Sequence, residues 1–235
     1  MLNKEKLIDV FNQLTSLSSI DTILRFIYST DTHDPSPKKI LDVGCGKGDI
    51  VRSLQKPRKP PMVSFQTIGL DIYLPYLLKT KKEYNEAILC DARFLPLAID
   101  SCDVVIASQI IEHLEKKEGL KLIADLERIS KGIIAITVPV GYSQKQHLED
   151  SNPWQQHKSG WHPDEFKTRG FIVSGHLGAR FLRGERAEFK INSKASKPLF
   201  FMLSLLTQLI TKRFVTASFE MVCIKKCVEA TRAWS

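Results

Sequence analysis

Short apolar runs alternate with amphipathic stretches along most of the chain. The runs at 40–43, 67–72, 87–92, 103–108 and 133–138 are mostly apolar and stop at polar or glycine-rich positions. Strands buried on both faces of a parallel sheet read this way. Between them, 75–84 opens with Pro75 in a first turn, and 120–129 repeats apolar residues at helical intervals before Lys131-Gly132. Both are expected to be helices. Ahead of the first run, Leu7, Ile8, Phe11, Leu14, Leu17, Ile20, Ile23, Leu24 and Ile27 fall mostly three and four apart within 4–28. One or two amphipathic helices fit that spacing, with Ser19 and Asp21 as caps of a second. Such a segment either packs at the sheet edge or closes over a site as a lid. Residues 30–37 read as a linker, and Pro57, Pro60 and Pro61 make 55–66 a basic surface loop. Strand and helix in alternation predict an α/β fold with a parallel sheet.

Candidate chemistry gathers where these strands end. After Ile40-Leu41-Asp42-Val43 comes Gly44-Cys45-Gly46-Lys47-Gly48, then a helix start at 50–54. Strand, glycine-rich turn and helix open the nucleotide-binding sheets, because the turn needs positive φ and a ligand must reach bare backbone. The helix N-terminus offers N–H groups to the same crevice. A dinucleotide fingerprint spaces its glycines G-x-G-x-x-G, whereas here they stand at 44, 46 and 48. Asp42 inside the strand end would repel a pyrophosphate and attract a ligand carrying an ammonium and a sulfonium. The second run ends at Asp71, placed to accept hydrogen bonds from both ribose hydroxyls of a nucleoside, with Ile72 and Tyr73 beside it for an adenine face. The third ends in Asp91-Ala92, a pair able to read the adenine edge.

Composition narrows the setting. A chain of 235 residues suits one α/β domain whose core needs no disulfide or metal. The five cysteines, 45, 90, 102, 223 and 227, show no C-x-x-C spacing and read as buried thiols of a reducing, cytoplasmic compartment. No Cys/His pair has ligand spacing, so no metal is expected. Charges break the apolar run of residues 1–10, unlike a secretory signal. The net charge of +8 admits nucleic acid or anionic lipid as a partner, although no Arg/Lys run interleaved with aromatics resembles an RNA-binding motif.

The runs Leu-Asp-Val-Gly-Cys-Gly-Lys-Gly, Gly-Leu-Asp-Ile, Leu-Cys-Asp-Ala, Cys-Asp-Val-Val-Ile-Ala-Ser and Ile-Glu-His-Leu stand in register. Together they resemble the class I S-adenosylmethionine-dependent methyltransferases, in particular the type 11 group, strongly over 38–140 and more weakly through 227. The resemblance implies a Rossmann-like seven-stranded, mostly parallel sheet with helices on both faces and an antiparallel last strand. Residues 171–175 and 219–224 are the candidates for strands six and seven. It divides a single domain into an N-terminal helical cap at 1–30, a cofactor-binding core at 38–140 and a substrate-loop portion at 141–235. S-adenosyl-L-methionine is the implied cofactor. Asp42, Gly44, Cys45 and Gly46 would surround its methionine part, Asp71 and Ile72 would take ribose and adenine, and Asp91 and Ala92 the adenine edge. Ser108 and Gln109 would line the crevice of methyl transfer.

The acceptor side is read from a second stretch. Residues 142–161 are long, polar and dense in His and Trp, and loops of this length inside a compact domain are usually functional. A similar Asn-Pro…His-x-Ser-x-Trp segment precedes strand six in many type 11-like enzymes. Tyr142, Trp154, His157 and Trp161 are therefore expected in a substrate lid, although His157 and Trp161 also suit structural packing. His113 and His157 are candidate general bases, with His113 alternatively orienting its own loop. The apolar run 198–210 is too short for a bilayer span. It is either a buried helix leading to the last strand or, with basic flanks through 213, a peripheral membrane contact. The expected activity is methyl transfer to a small-molecule or glycan- or lipid-linked acceptor. The alternatives are an RNA or protein methyltransferase using the basic surface, and a non-catalytic binding module. The [Asn/Asp]-Pro-Pro-aromatic motif and the Pro-Cys nucleophile of base methylation do not appear.

Overall fold

The computed structural model describes residues 19–30, 37–55, 64–142, 151–184, 190 and 197–227. The expected helical stretch 4–18, most of the 30–37 linker and 55–66 loop, and 143–150 of the substrate loop lie outside the described residues. In chain order the elements are α1 Ser19–Thr30, β1 Lys38–Val43, α2 Asp49–Leu54, β2 Phe65–Asp71, α3 Leu74–Thr80, β3 Glu86–Leu89 and β4 Cys102–Ser108. They continue with α4 Lys116–Ile129, β5 Ser130–Pro139, α5 Pro163–Lys167, β6 Ile172–Ala179, α6 Lys197–Thr211 and β7 Ser218–Lys226. The seven strands form one sheet in the order β3-β2-β1-β4-β5-β7-β6. Pairs β1–β2, β1–β4, β2–β3 and β4–β5 are parallel. β7 runs antiparallel between β5 and β6, as expected from the sequence.

Period-two alternation sorts the strand residues onto two buried faces. Leu41, Val43, Val105, Ala107, Ile134 and Ile136 share one cluster with Leu122, Ile123, Leu126 and Ile129 of α4. Ile40, Val104, Ile106, Ala135, Val222 and Ile224 share the other with Ile23, Leu24 and Ile27 of α1. α1 thus covers a face of the sheet over β5 and β7, and not its edge as the periodicity alone suggests. Its apolar stripe is wide enough to bury Ile23 and Leu24 completely.

The helix α6 corrects the expectation of a buried apolar helix. Ser204 and Gln208 are fully buried, whereas Leu199, Leu206 and Ile210 are 57–60% exposed. The inversion has a local cause in β6. Pairing with β7 shifts register between His176 and Ala179, where Leu177 and Gly178 both take positive φ. Such a bulge leaves backbone groups without ladder partners. Gln208 supplies them: its Oε1 accepts from Gly178 N at 2.8 Å, and its Nε2 donates to Gly175 O at 2.8 Å. Thr207 Oγ1 accepts from Ala179 N at 3.0 Å. The helix must come close to do this, and a Cβ on Gly175 would stand 2.1 Å from Thr211 O. With the polar stripe turned inward, the apolar residues of α6 have only the outside left.

Replacing Gln208 with Ala strands two buried backbone groups, so Gln208→Ala is expected to cost about 2 kcal/mol in urea unfolding. Leu206→Ser on the outer side should stay within about 0.5 kcal/mol. Equal losses at the two positions would mean that α6 does not face the sheet this way.

Candidate active site

β1 stands between β2 and β4, and the chain leaves it to opposite sides. A crevice opens at such a switch point, beyond the carboxyl ends of the strands. There a cleft of about 390 Å³ is lined by Asp42, Gly44, Cys45 and Gly46 from β1 and its turn, Asp71 at the end of β2 with Ile72 beyond it, and Ser108 at the end of β4 with Gln109 and His113 after it. Trp154 from the expected lid also lines it.

The glycine turn is shaped as its composition requires. Gly44, Gly46 and Gly48 all have positive φ, and a Cβ on Gly44 would also stand 2.7 Å from Ile110 Cδ1. Cys45 N donates to Leu70 O at 2.8 Å and Gly46 N to Asp71 Oδ2 at 2.7 Å, so the turn is hydrogen-bonded to β2. The second Asp71 oxygen accepts from Tyr73 N at 2.7 Å. Burial raises the Asp71 carboxyl, and these backbone bonds oppose the rise.

Asp42 is 2% exposed and accepts a hydrogen bond from the Tyr84 hydroxyl at 2.6 Å. Burial pushes its carboxyl up to about 7, with the Tyr84 bond opposing and the carboxylates of Asp71 and Asp49 adding to the rise. Near neutrality this acid is poised to lose its proton when a cation arrives. Burial likewise raises the Cys45 thiol, so Cys45 stays protonated and serves as wall, not nucleophile.

Past β4 the backbone turns sharply. Gln109 has φ of 54° and donates N–H to Thr137 O at 2.9 Å. Ser108 Oγ and Gln109 Nε2 both meet Thr137 Oγ1, at 2.9 and 3.2 Å. Strained backbone held by neighbours is common at sites. It brings the short 3-10 turn Ile111–His113 to the cleft mouth.

The segment after residue 151 crosses this mouth. Gln155 Nε2 donates to the Tyr76 hydroxyl on α3 at 3.2 Å. Lys158 N and Ser159 N donate to Glu112 O at 2.7 and 3.1 Å. Asn152, 4% exposed, accepts from Trp154 N at 3.0 Å. His157 stands beside His113, ring centroids 5.0 Å apart, but does not itself line the cleft. Tyr142 is half exposed, with its hydroxyl 3.5 Å from His157 O.

Three expectations are displaced. Trp161 is fully buried; its Nε1 donates to Ser159 Oγ at 3.0 Å and its ring packs near Phe166. It anchors the segment and is not open to a substrate. Asp91 and Ala92 do not line the cleft. Arg93 clamps the Asp91 carboxylate, with Nη2 at 2.6 Å, and holds it below the usual carboxylate range. The sequence spacing that excluded a metal is also too narrow a test, because Glu112, His113 and His157 each bring one ligand atom within 4.8 Å of the others. Lining residues not anticipated include Ile20 of α1, Tyr76, Ile110 and Asn152. The Asn-Pro pair at 152–153 was the signal for Asn152, since Asn before Pro favours turns.

Residues 41–136 match the family model described as a methyltransferase domain. A S-adenosylmethionine-dependent methyltransferase from Archaeoglobus fulgidus shares the fold with a TM-score of 0.53 at 19% identity, over 93% of this chain and 99% of its own. The chain shares the fold of that methyltransferase. Magnesium protoporphyrin IX methyltransferase from Synechocystis, solved with S-adenosylhomocysteine, matches with a TM-score of 0.52 at 10% identity, over 97% of this chain and 89% of its own. The small RNA methyltransferase HEN1 matches with 0.52 at 17% identity, over 90% of this chain and 25% of its own. At these identities the likeness is one of fold. No curated protein sequence matches the chain.

The raised Asp42 carboxyl makes a signed prediction for this methyltransferase fold. Between its unfolded value of 3.8 and about 7, the folded chain keeps a proton that the unfolded chain has lost. The contribution of Asp42 to the stability of the ligand-free protein therefore falls as pH rises through that window. Binding of a cationic ligand should tighten over the upper part of the same window, with proton release, by up to about tenfold per pH unit. Calorimetry from pH 5 to 7.5 measures both. Asp42→Asn should remove the pH dependence of binding and reduce the stability slope, leaving the share of Glu220, which burial also raises to about 7. Binding that keeps its pH dependence in Asp42→Asn would assign it to another group.

Proposed function

We propose that the protein is a methyltransferase that uses S-adenosyl-L-methionine, and that the Asp42–glycine turn–Asp71 arrangement carries this reading. The bare backbone at Gly44 and Gly46 suits the close approach of the methionine part. The Asp42 carboxylate supplies the negative charge for its cationic groups. The Asp71 carboxylate accepts backbone bonds from Gly46 and Tyr73 and keeps acceptor capacity for a ribose hydroxyl. Ile72 offers an apolar wall to adenine. Asp91, turned to Arg93, has no part in this reading. When bound, the cofactor supplies a methyl group on a positively charged sulfur. The chain's own residues position the acceptor for in-line attack: Ser108 and Gln109, locked on Thr137, form the floor, and the 151–161 segment limits water at the mouth. Five cysteines present as free thiols accord with a reducing, cytoplasmic setting.

Isothermal titration with S-adenosylmethionine and S-adenosylhomocysteine tests the reading. Both are expected to bind, and Asp71→Ala should weaken them by about 1–3 kcal/mol, the cost of lost buried hydrogen bonds. Binding of NAD in place of either would overturn it.

For the acceptor, we propose an amphiphilic, lipid-linked or glycan–lipid-linked molecule met at an anionic membrane surface. The inverted α6 favours this over a free small molecule. Leu199, Phe201, Met202, Leu206, Leu209 and Ile210 form an exposed apolar side. A cavity of about 630 Å³ lined by Arg180, Arg183 and Lys190 together with Phe181 and Phe219 meets α6 through Arg183, whose Nη2 donates to Ser204 Oγ at 3.1 Å. Apolar side chains next to cationic ones fit acyl chains and anionic headgroups. No helix among the described residues is long and apolar enough to cross a membrane. An RNA or protein acceptor rests on net charge alone. Sedimentation with vesicles containing phosphatidylserine should capture the protein, and phosphatidylcholine alone should capture much less. Leu206→Glu with Ile210→Glu should abolish capture. A concentration-dependent dimer with no vesicle binding would show instead that a second copy covers α6.

A further inference from the structure

We propose that Glu112, His113 and His157 form a binding site for a divalent transition-metal ion at the mouth of the cleft. Glu112 and His113 sit on the 3-10 turn that follows β4, and His157 arrives from the 151–161 segment. One ligand atom from each lies within 4.8 Å of the other two. Nitrogen and oxygen ligands stand about 2.0–2.2 Å from such an ion, so neighbouring ligand atoms are about 3 Å apart. Small side-chain rotations close that difference.

The backbone is already in place for it. Lys158 N and Ser159 N both donate to Glu112 O, and Ser159 Oγ donates to Ile111 O at 3.2 Å. The strand of chain bearing His157 is therefore fastened to the turn bearing the other two residues. His113 is oriented from behind: its Nδ1 lies 3.3 Å from Gln156 O. A carbonyl only accepts, so Nδ1 is the donor in this contact, and the neutral ring then offers Nε2 to a metal. An outer hydrogen bond of this kind is the usual support of a metal-bound imidazole. Glu112 is 2% exposed, and a cation held between its carboxylate and the two rings would add to what stabilises a buried charge.

The donor set indicates which ion. Two imidazoles and one carboxylate suit zinc, manganese, iron or cobalt, and leave coordination positions open. Calcium and magnesium prefer oxygen ligands throughout. Because His113 also lines the cleft, the open positions would face the bound acceptor and favour one that presents an oxygen. That last point rests on the methyltransferase reading; the metal site does not.

The test uses the full chain stripped with chelator and then dialysed free of it. Cobalt(II), followed by its visible absorption, and manganese(II), followed by loss of the free-ion paramagnetic signal, are expected to bind at one ion per chain. His157→Ala, at a half-buried position, should weaken binding at least tenfold, as should Glu112→Gln, with unchanged circular dichroism as the check on folding. Absence of stoichiometric binding, or His157→Ala binding as the parent does, would overturn the proposal. S-adenosylmethionine titrated into the same preparations separates the two readings: metal binding without cofactor binding keeps this site and removes the methyltransferase assignment.

Discussion

Two parallel neighbours flank β1, and the direction of those pairings sends the carboxyl ends of β1, β2 and β4 to one edge of the sheet. Everything chemical in the molecule follows from that edge. The chain departs from β1 toward β2 and returns on the far side at β4, which opens a gap above Asp42. The glycine turn lines the gap. The hydrogen bond from Gly46 to Asp71 ties that turn to the end of β2. A ligand there meets two buried carboxylates and bare backbone, surroundings that favour a compact cation over a pyrophosphate. Burial of Asp42 costs stability near neutral pH, a cost that a cationic ligand offsets.

The second constraint comes from the segment that covers the mouth. Its hold on the fold is the Trp161 ring, packed so tightly that a Cβ on Gly119 would stand 2.5 Å from it. Lys116 lies over the same ring, 3.6 Å from its centroid, and its ammonium donates to Gly160 O at 2.7 Å. A rigid aromatic anchor at one end and the Gln155–Tyr76 contact at the other keep the intervening His157 near the turn after β4. Positioning at the mouth is thus set in part by packing at Trp161, which is closed off from the cleft.

A third feature shows local hydrogen bonding overruling hydrophobic patterning. α6 is the most apolar run of the described chain, yet its buried stripe is Ser204, Gln208 and Thr211. The bulged edge of β6 needs polar partners more than the core needs another apolar helix, because an unsatisfied buried amide costs about as much as a buried aliphatic side chain gains. The outcome is a surface with both apolar and cationic groups, and the proposed membrane contact follows from it.

Much of this was legible in the sequence. The apolar runs located the strands to within a few residues, since buried parallel strands need continuous apolar composition. The 44, 46, 48 glycine spacing with Asp42 and Asp71 located one end of the cleft, because positive φ and buried charge tolerate few residue types. Tertiary structure alone decided the rest, and for one physical reason: side-chain partners distant in sequence are chosen by packing. Sequence spacing could not show that Arg93 would take Asp91, that Trp161 would be an anchor, or that α6 would face outward. Nor could it bring His157 to Glu112 and His113, since no local period links a turn after β4 to a loop before α5. The chain itself determined the sheet and the glycine turn; the packed fold decided which polar groups stand free at the cleft.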